Sequence, residues 1–240
     1  CKMGKRIISQ RRGKGTPRYT APSFNFKVDV KHPNPKHKIS GEIQDIFRCR
    51  AHTAPVMSVK LDNGKEVQMI APNNVLVNQK IEFNTDKVEN ANTCMLKYIP
   101  EGTSIFNIEL NPGDGGKLVK TTGTSATIVA KLDKKVIVLL PSKKKKTINW
   151  DCRANIGVIA GGGRVDKPLL KAGNNMKKFK ARGKLYPIVS ANSMNATDHP
   201  FGNSRSSYKS KSKPAPKNAP PGRKVGSIRP RSQGRKKGRG

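Results

Sequence analysis

Along the middle of the chain, apolar and polar residues alternate. Met57, Val59 and Leu61 keep one phase, Asn63-Gly64 interrupts, and Val67 and Met69 resume it. Asn-Gly between alternating runs predicts a hairpin, because both turn positions favour positive φ. Ahead of it, ISGEIQDIF (39–47) places Ile39, Ile43 and Ile46 as the apolar positions of a further strand. Short apolar pieces follow near Val75 and Ile81. Several short strands at this spacing predict a small barrel.

A second set begins after Pro100. Phe106, Ile108 and Leu110 alternate, and Pro112-Gly113-Asp114-Gly115-Gly116 reads as a loop whose glycines supply positive φ. ATIVAK (126–131) and KVIVLL (135–140) flank Leu132-Asp133-Lys134, which predicts a hairpin with a three-residue loop. Pro141 to Lys146 turns the chain, and TINW (147–150) completes a meander. The runs at 128–130 and 136–140 are apolar at every position, as in strands covered on both faces. No part of the middle carries a 3.6-residue stripe; a short helical turn near Pro168 to Ala172 is the one exception expected. The pattern predicts a mostly β protein, two small barrels in tandem.

Both ends lose the pattern. GKRIISQRRGKGTPRYTAPSF opens the chain and SYKSKSKPAPKNAPPGRKVGSIRPRSQGRKKGRG closes it. Neither stretch holds enough apolar surface to order itself alone, and Pro and Gly forbid a long helix there. Charge follows the same division. The 240 residues carry 49 Lys and Arg against 15 Asp and Glu, a net +34. Residues 1–36 hold +9, residues 37–140 only +2, and residues 141–240 hold +23. Such a chain repels itself and calls for a polyanion. Nucleic acid fits, because each cation placed on a phosphate releases a condensed counterion. An anionic membrane is the weaker partner, since no apolar stripe accompanies the charge. The longest aliphatic run, Val136 to Leu140, is far too short to span a bilayer.

Cys1, Cys49, Cys94 and Cys152 are scattered without a C-x-x-C pair, so neither a zinc site nor any other cofactor is expected. With no apolar leader visible, they read as reduced thiols of a cytosolic protein. Met3-Gly4 resembles a natural start, which leaves Cys1-Lys2 unaccounted for. For the same reason the Asn195-Ala196-Thr197 sequon is set aside.

The candidate chemistry lies in the basic segments. Arg6, Arg11, Arg12, Lys14 and Arg18 lie in the N-terminal arm, with Tyr19, Phe24 and Phe26 interspersed. Gly161-Gly162-Gly163 is followed by Arg164, Lys167 and Lys171; it suits close packing on an RNA backbone, or else a flexible link. Lys177, Lys178, Lys180, Arg182 and Lys184 alternate with Phe179 and Tyr186, a mix that neutralises phosphates and stacks on unpaired bases. Arg205, Arg223, Lys224, Arg229 and Arg231 continue it, with Tyr208 and Ile228. Lys143 to Lys146 suit generic phosphate contact. His199, in Asp198-His199-Pro200, is either an RNA-contacting loop residue or a general base oriented by the carboxylate. The classes left open are a structural RNA-binding protein, an RNA-acting enzyme using His199, and a general DNA- or chromatin-binding protein. No groove-reading helix favours the last.

Long segments of the chain resemble the universal large-subunit ribosomal protein L-two family, in its archaeal and eukaryotic branch. They are IPEGTSIFNIELNPGDGGKLVKTTGTSATIVAK (99–131), DCRANIGVIAGGGRVDKPLLKAG (151–173), MNATDHPFGN (194–203) and APPGRKVGSI (219–228). The resemblance implies a basic N-terminal extension (1–36), an oligonucleotide-binding-fold barrel (37–97), a Src-homology-3-like barrel (98–172) and a basic C-terminal extension (173–240). It implies large-subunit ribosomal RNA and neighbouring ribosomal proteins as partners, and the small subunit through an intersubunit bridge. It further implies no small-molecule substrate, no enzymatic activity, and a cytoplasmic ribosomal address near the peptidyl-transferase region, where His199 falls. The sequence departs from the family pattern, whose loop ends in a glycine triplet, where Gly202 is followed by Asn203 and Ser204.

Overall fold

The structure is a computed structural model that describes residues 4–21, 28–33, 37–203 and 214–230. The chain divides into two compact units, residues 23–170 and residues 1–22 together with 171–240.

Residues 23–170 hold ten strands: β1 (Ile39–Phe47), β2 (Val56–Leu61), β3 (Glu66–Ile70), β4 (Lys80–Thr85), β5 (Thr93–Met95), β6 (Ser104–Phe106), β7 (Ala126–Leu132), β8 (Lys135–Leu139), β9 (Lys145–Asn149) and β10 (Arg153–Ile156). They bond in the order β3-β2-β1-β4-β5-β10-β6-β7-β8-β9. The fold is mostly β, as the alternation predicts. The Asn63-Gly64 hairpin forms between β2 and β3, with Val59 opposite Val67 and Gly64 at φ 79°. Each half of the ladder carries one irregularity in its leading antiparallel pair, between Ile43 and Asp45 and between Ile128 and Ala130. Such bulges bend a strand and tighten its twist, which a small, strongly curved sheet needs.

The inward positions build two main cores. Ile43, Met57, Val59, Met69, Ile81 and Phe83 fill one; Leu96, Ile99, Ile105, Ile128, Val136, Val138 and Ile148 fill the other. A third cluster gathers Val30, Val56, Ile70, Phe106 and Ile159. Gly41 is glycine because β2 lies so close: a Cβ there would meet Val59 Cγ1 at 2.9 Å. β10 is buried at all four positions and pairs with both β5 and β6. At this seam a chain of amides links the strands. Asn107 Nδ2 donates to Asn155 Oδ1 at 3.1 Å, and Asn155 Nδ2 donates to Thr93 Oγ1 at 2.9 Å. Buried polar groups that find partners fix one arrangement of the strands.

The structure corrects three local expectations. Leu132 pairs with Lys135, so the β7–β8 loop has two residues, with Lys134 at φ 57°. The runs at 128–130 and 136–140 are covered on one face only, since Val129 is 38% exposed while Ile128 is buried. The second-face residues Val129, Ile137 and Leu139 keep part of their surface open. Beyond Phe106 the expected strand reduces to a single bridge between Ile108 and Leu118.

The other unit holds α1 (Ile8–Gly13), α2 (Ala172–Lys180) and a two-residue parallel pair, β11 (Pro214–Ala215) with β12 (Ser227–Ile228). Neither helix was expected. α1 is held at its start by Gln10, whose Oε1 accepts the Ile7 N–H at 3.0 Å. α2 starts where the helical turn near 168–172 was expected to end and runs on through the Lys-rich stretch.

Candidate nucleic-acid interface

The unit formed by residues 1–22 and 171–240 holds 26 of the 49 Lys and Arg and one of the 15 acidic residues, Asp198, for a net +25. Its apolar interior is small. Among the described residues, only Ile7 and Ala215 are buried apolar residues here. Backbone approach and short bonds connect its segments instead. Lys5 N–H donates to Thr197 O at 2.8 Å. A Cβ on Gly183 would lie 2.3 Å from Thr20 C, and one on Gly202 would lie 2.3 Å from Asn195 O. These two glycines are required by close chain crossings, where any side chain would clash.

The basic residues point outward. Arg6, Arg11, Arg12, Lys14, Arg18, Lys171, Lys177, Lys178, Lys180, Arg182, Lys184, Arg223, Lys224 and Arg229 are all exposed. Arg11 and Arg12 lie in the last turn of α1, and Lys177, Lys178 and Lys180 in the last turn of α2. There the partial negative charge of the helix end tolerates them. Arg11 Nε donates to Arg6 O at 2.9 Å, which holds that guanidinium against the chain. Phe179 and Tyr186 lie with ring centroids 5.4 Å apart, so each engages the other. Arg164 and Lys167 are equally exposed but belong to the β unit. Arg205 and Arg231, like Phe24, Phe26 and Tyr208, lie outside the described residues.

The His199 loop is tightly organised. Asp198 and His199 both donate their N–H to Asn195 O, at 3.0 and 3.2 Å, and Gly202 N–H returns to His199 O at 2.9 Å. The imidazole Nδ1 accepts the Phe201 N–H at 3.1 Å, and the two rings meet edge-on at 5.3 Å. Partial burial lowers the pKa of the ring, favouring the neutral form. A neutral imidazole with Nδ1 accepting carries its proton on Nε2. The ring therefore presents a donor to solvent rather than a base. Asp198 lies near Lys5, with Oδ1 4.0 Å from Nζ.

The glycine triplet has an internal explanation at two positions. A Cβ on Gly161 would meet Thr122 Cγ2 at 2.7 Å, and a Cβ on Gly123 would lie 2.5 Å from Gly162 Cα. Around Gly163 there is open space.

One charged site was missed from the sequence. Glu109 is 1% exposed. Its Oε1 accepts Gly115 N–H at 3.1 Å, and its Oε2 accepts Gly113 N–H at 3.1 Å and Arg153 N–H at 2.9 Å. His32 Nε2 lies 3.9 Å from Oε1. Burial pushes the His32 pKa down to about 3, so its ring is neutral at ordinary pH. Lys120 Nζ donates to Val30 O at 2.8 Å. Residues 28–33 are thus fastened into the β unit. The available signal was the acid preceding a glycine-rich loop.

Among the described residues no cluster of His, Cys, Asp or Glu could hold a metal ion, and no helix is long and apolar enough to cross a membrane. The combination defines a β unit joined in one chain to a polycationic companion unit. The model of the family "Ribosomal Proteins L2, C-terminal domain" matches residues 89–219. The chain is 46% identical over 235 residues to the large ribosomal subunit protein uL2 of Archaeoglobus fulgidus, covering 97% of this chain and 99% of that one. It is 42% identical over 241 residues to the uL2 protein of Methanothermobacter thermautotrophicus, covering 98% and 100%. It is also 42% identical over 238 residues to that of Saccharolobus islandicus, covering 99% and 100%. The chain belongs to the uL2 family of large ribosomal subunit proteins.

Proposed function

We propose that the protein is a structural constituent of the large ribosomal subunit that binds large-subunit ribosomal RNA near the peptidyl-transferase region. In this reading it supports subunit association, including a bridge to the small subunit, together with tRNA binding and peptide-bond formation. Its address is the cytoplasmic ribosome, where it adjoins neighbouring large-subunit proteins. The observation that carries the reading is the +25 unit with a single acid, in a chain that matches uL2 proteins end to end. The outward Lys and Arg neutralise RNA phosphates, and assembly with RNA supplies the stability that its small interior does not. The β unit is the positioning scaffold, with an oligonucleotide-binding-fold barrel over 37–97 and a Src-homology-3-like barrel over 98–172. His199 acts as an Nε2–H donor to RNA in this reading; the general-base alternative conflicts with the engaged Nδ1. Sedimentation tests the proposal. The protein is expected to travel with the large subunit and to resist a high-salt wash. Recovery at the top of the gradient at low salt would overturn it.

A further inference from the structure

The most basic unit of the molecule keeps one carboxylate, Asp198, and that residue lines a cleft. The cleft measures about 390 Å³ and lies wholly within the unit of residues 1–22 and 171–240. Its size falls within the range of small-ligand sites. Leu185, Pro187 and Met194 give it apolar walls, Arg6 and Arg11 add two guanidinium groups, and Asn195 and Asp198 add polar ends.

Each part has a consequence for the occupant. A bare phosphate suits Arg6 and Arg11 but not the carboxylate that shares the cleft with them. An apolar ligand suits the walls and leaves the polar groups without partners. A nucleotide satisfies all three: the phosphate goes to the arginines, the flat base against the apolar wall, and the base edge to Asp198. The carboxylate then selects among bases. Ionised Asp only accepts hydrogen bonds, and guanine is the base whose Watson–Crick edge offers two adjacent donors, N1–H and N2–H. The carboxylate is not already consumed within the protein. Among the described residues its one ion pair is with Lys5, whose Nζ is 4.0 Å from Oδ1; both side chains are partly exposed, and such pairs hold weakly. The backbone around it is fixed, since Asp198 N–H donates to Asn195 O at 3.0 Å.

We infer that this cleft receives one unpaired guanine nucleotide of RNA, with Asp198 reading N1–H and N2–H and Arg6 and Arg11 holding its phosphate. The inference rests on the RNA-binding reading above and adds a base preference, which phosphate contact alone does not give.

The full chain is titrated with four single-stranded heptamers of uridine that differ at the central position: guanosine, inosine, adenosine or uridine. Inosine keeps N1–H and lacks the N2 amine. The guanosine oligomer is expected to bind more tightly than the uridine one by roughly 5- to 150-fold, the discrimination of a bidentate base contact. Inosine is expected to bind at least about threefold more weakly than guanosine, the net loss of one hydrogen bond. Asp198→Asn should bring all four within about twofold of one another. Arg6→Ala should weaken all four and keep their order. Equal binding of guanosine and inosine by the wild type, or a guanosine preference that survives Asp198→Asn, overturns the inference and leaves RNA binding standing. If even the uridine oligomer fails to bind at low salt, the RNA-binding reading fails and the inference with it. Unchanged circular dichroism of Asp198→Asn separates loss of the contact from loss of the fold.

Discussion

The two units solve opposite problems. Residues 23–170 bury nearly all the apolar side chains that are buried among the described residues, and carry 23 Lys and Arg against 14 acids, a net +9. Residues 1–22 and 171–240 bury only Ile7 and Ala215 among the described apolar residues and carry +25. One unit stands on the hydrophobic effect, which needs no partner. The other gathers like charges around little interior, so its free energy depends on what neutralises them. The contrast teaches where to look for stability and where for affinity, and each measurement below is a way to break it.

The largest effect belongs to the basic unit. With 6–10 phosphates engaged, RNA affinity is expected to fall about 10³- to 10⁵-fold between 50 and 200 mM salt. Replacing Lys177, Lys178 and Lys180 by Ala should lower the slope of log affinity against log salt by about two to three. The same change at Lys143, Lys144 and Lys145 in the β unit should lower it less. A filter-binding titration reads both, and equal losses would erase the distinction between the units.

The next effect belongs to the β unit. Phe83→Ala removes a fully buried ring and should cost about 3–5 kcal/mol in chemical denaturation. Its RNA-binding salt slope should stay unchanged at temperatures where the variant is folded. Glu109→Gln comes third. The carboxamide has one acceptor oxygen where three backbone N–H groups now bond. A loss of about 1–3 kcal/mol is expected by the same assay.

Acid sensitivity is smaller. The His32 pKa falls from 6.5 to about 3 because burial disfavours its charged form. The unfolded chain therefore binds the proton that the folded chain refuses. The contribution is fully present above pH 6.5 and is lost as pH falls from 6.5 toward about 3. Between pH 6.5 and about pH 5.5 it amounts to about 1 kcal/mol. Denaturation curves of wild type and His32→Asn should diverge over that unit of pH, with the variant flatter. The smallest effect is local. Amides of α2 in the free protein should exchange with protection of about 0–1 kcal/mol, far below β10, and should gain protection on RNA.

Much of the β unit was legible because its strands obey a strict period of two. Met57, Val59 and Leu61 stated both the strand and its buried face, and Asn63-Gly64 stated the turn. The seam was not legible. β5, β6 and β10 are three or four residues long, too short for a period to show, and their pairing depends on residues far apart in sequence. The Glu109 site was not legible for a physical reason: alternation gives no sign of a buried charge, while here three backbone amides replace water. In the basic unit, composition located the charge but not its form. α2 has only Met176 and Phe179 as large apolar residues, too few over nine positions to make a helical period stand out. His199 was visible as a candidate, but its tautomer was not, because that depends on the Phe201 amide.

The fastening of residues 28–33 also bears on how the chain is made. Val30 is held by Lys120, 90 residues later. At about 5–20 residues per second, roughly 5–18 seconds of synthesis separate the two. During that interval the arm has emerged without its anchor. Residues 28–33 therefore gain this anchor only after β1 to β6 have been made, whereas β1 to β4 can already pair among themselves.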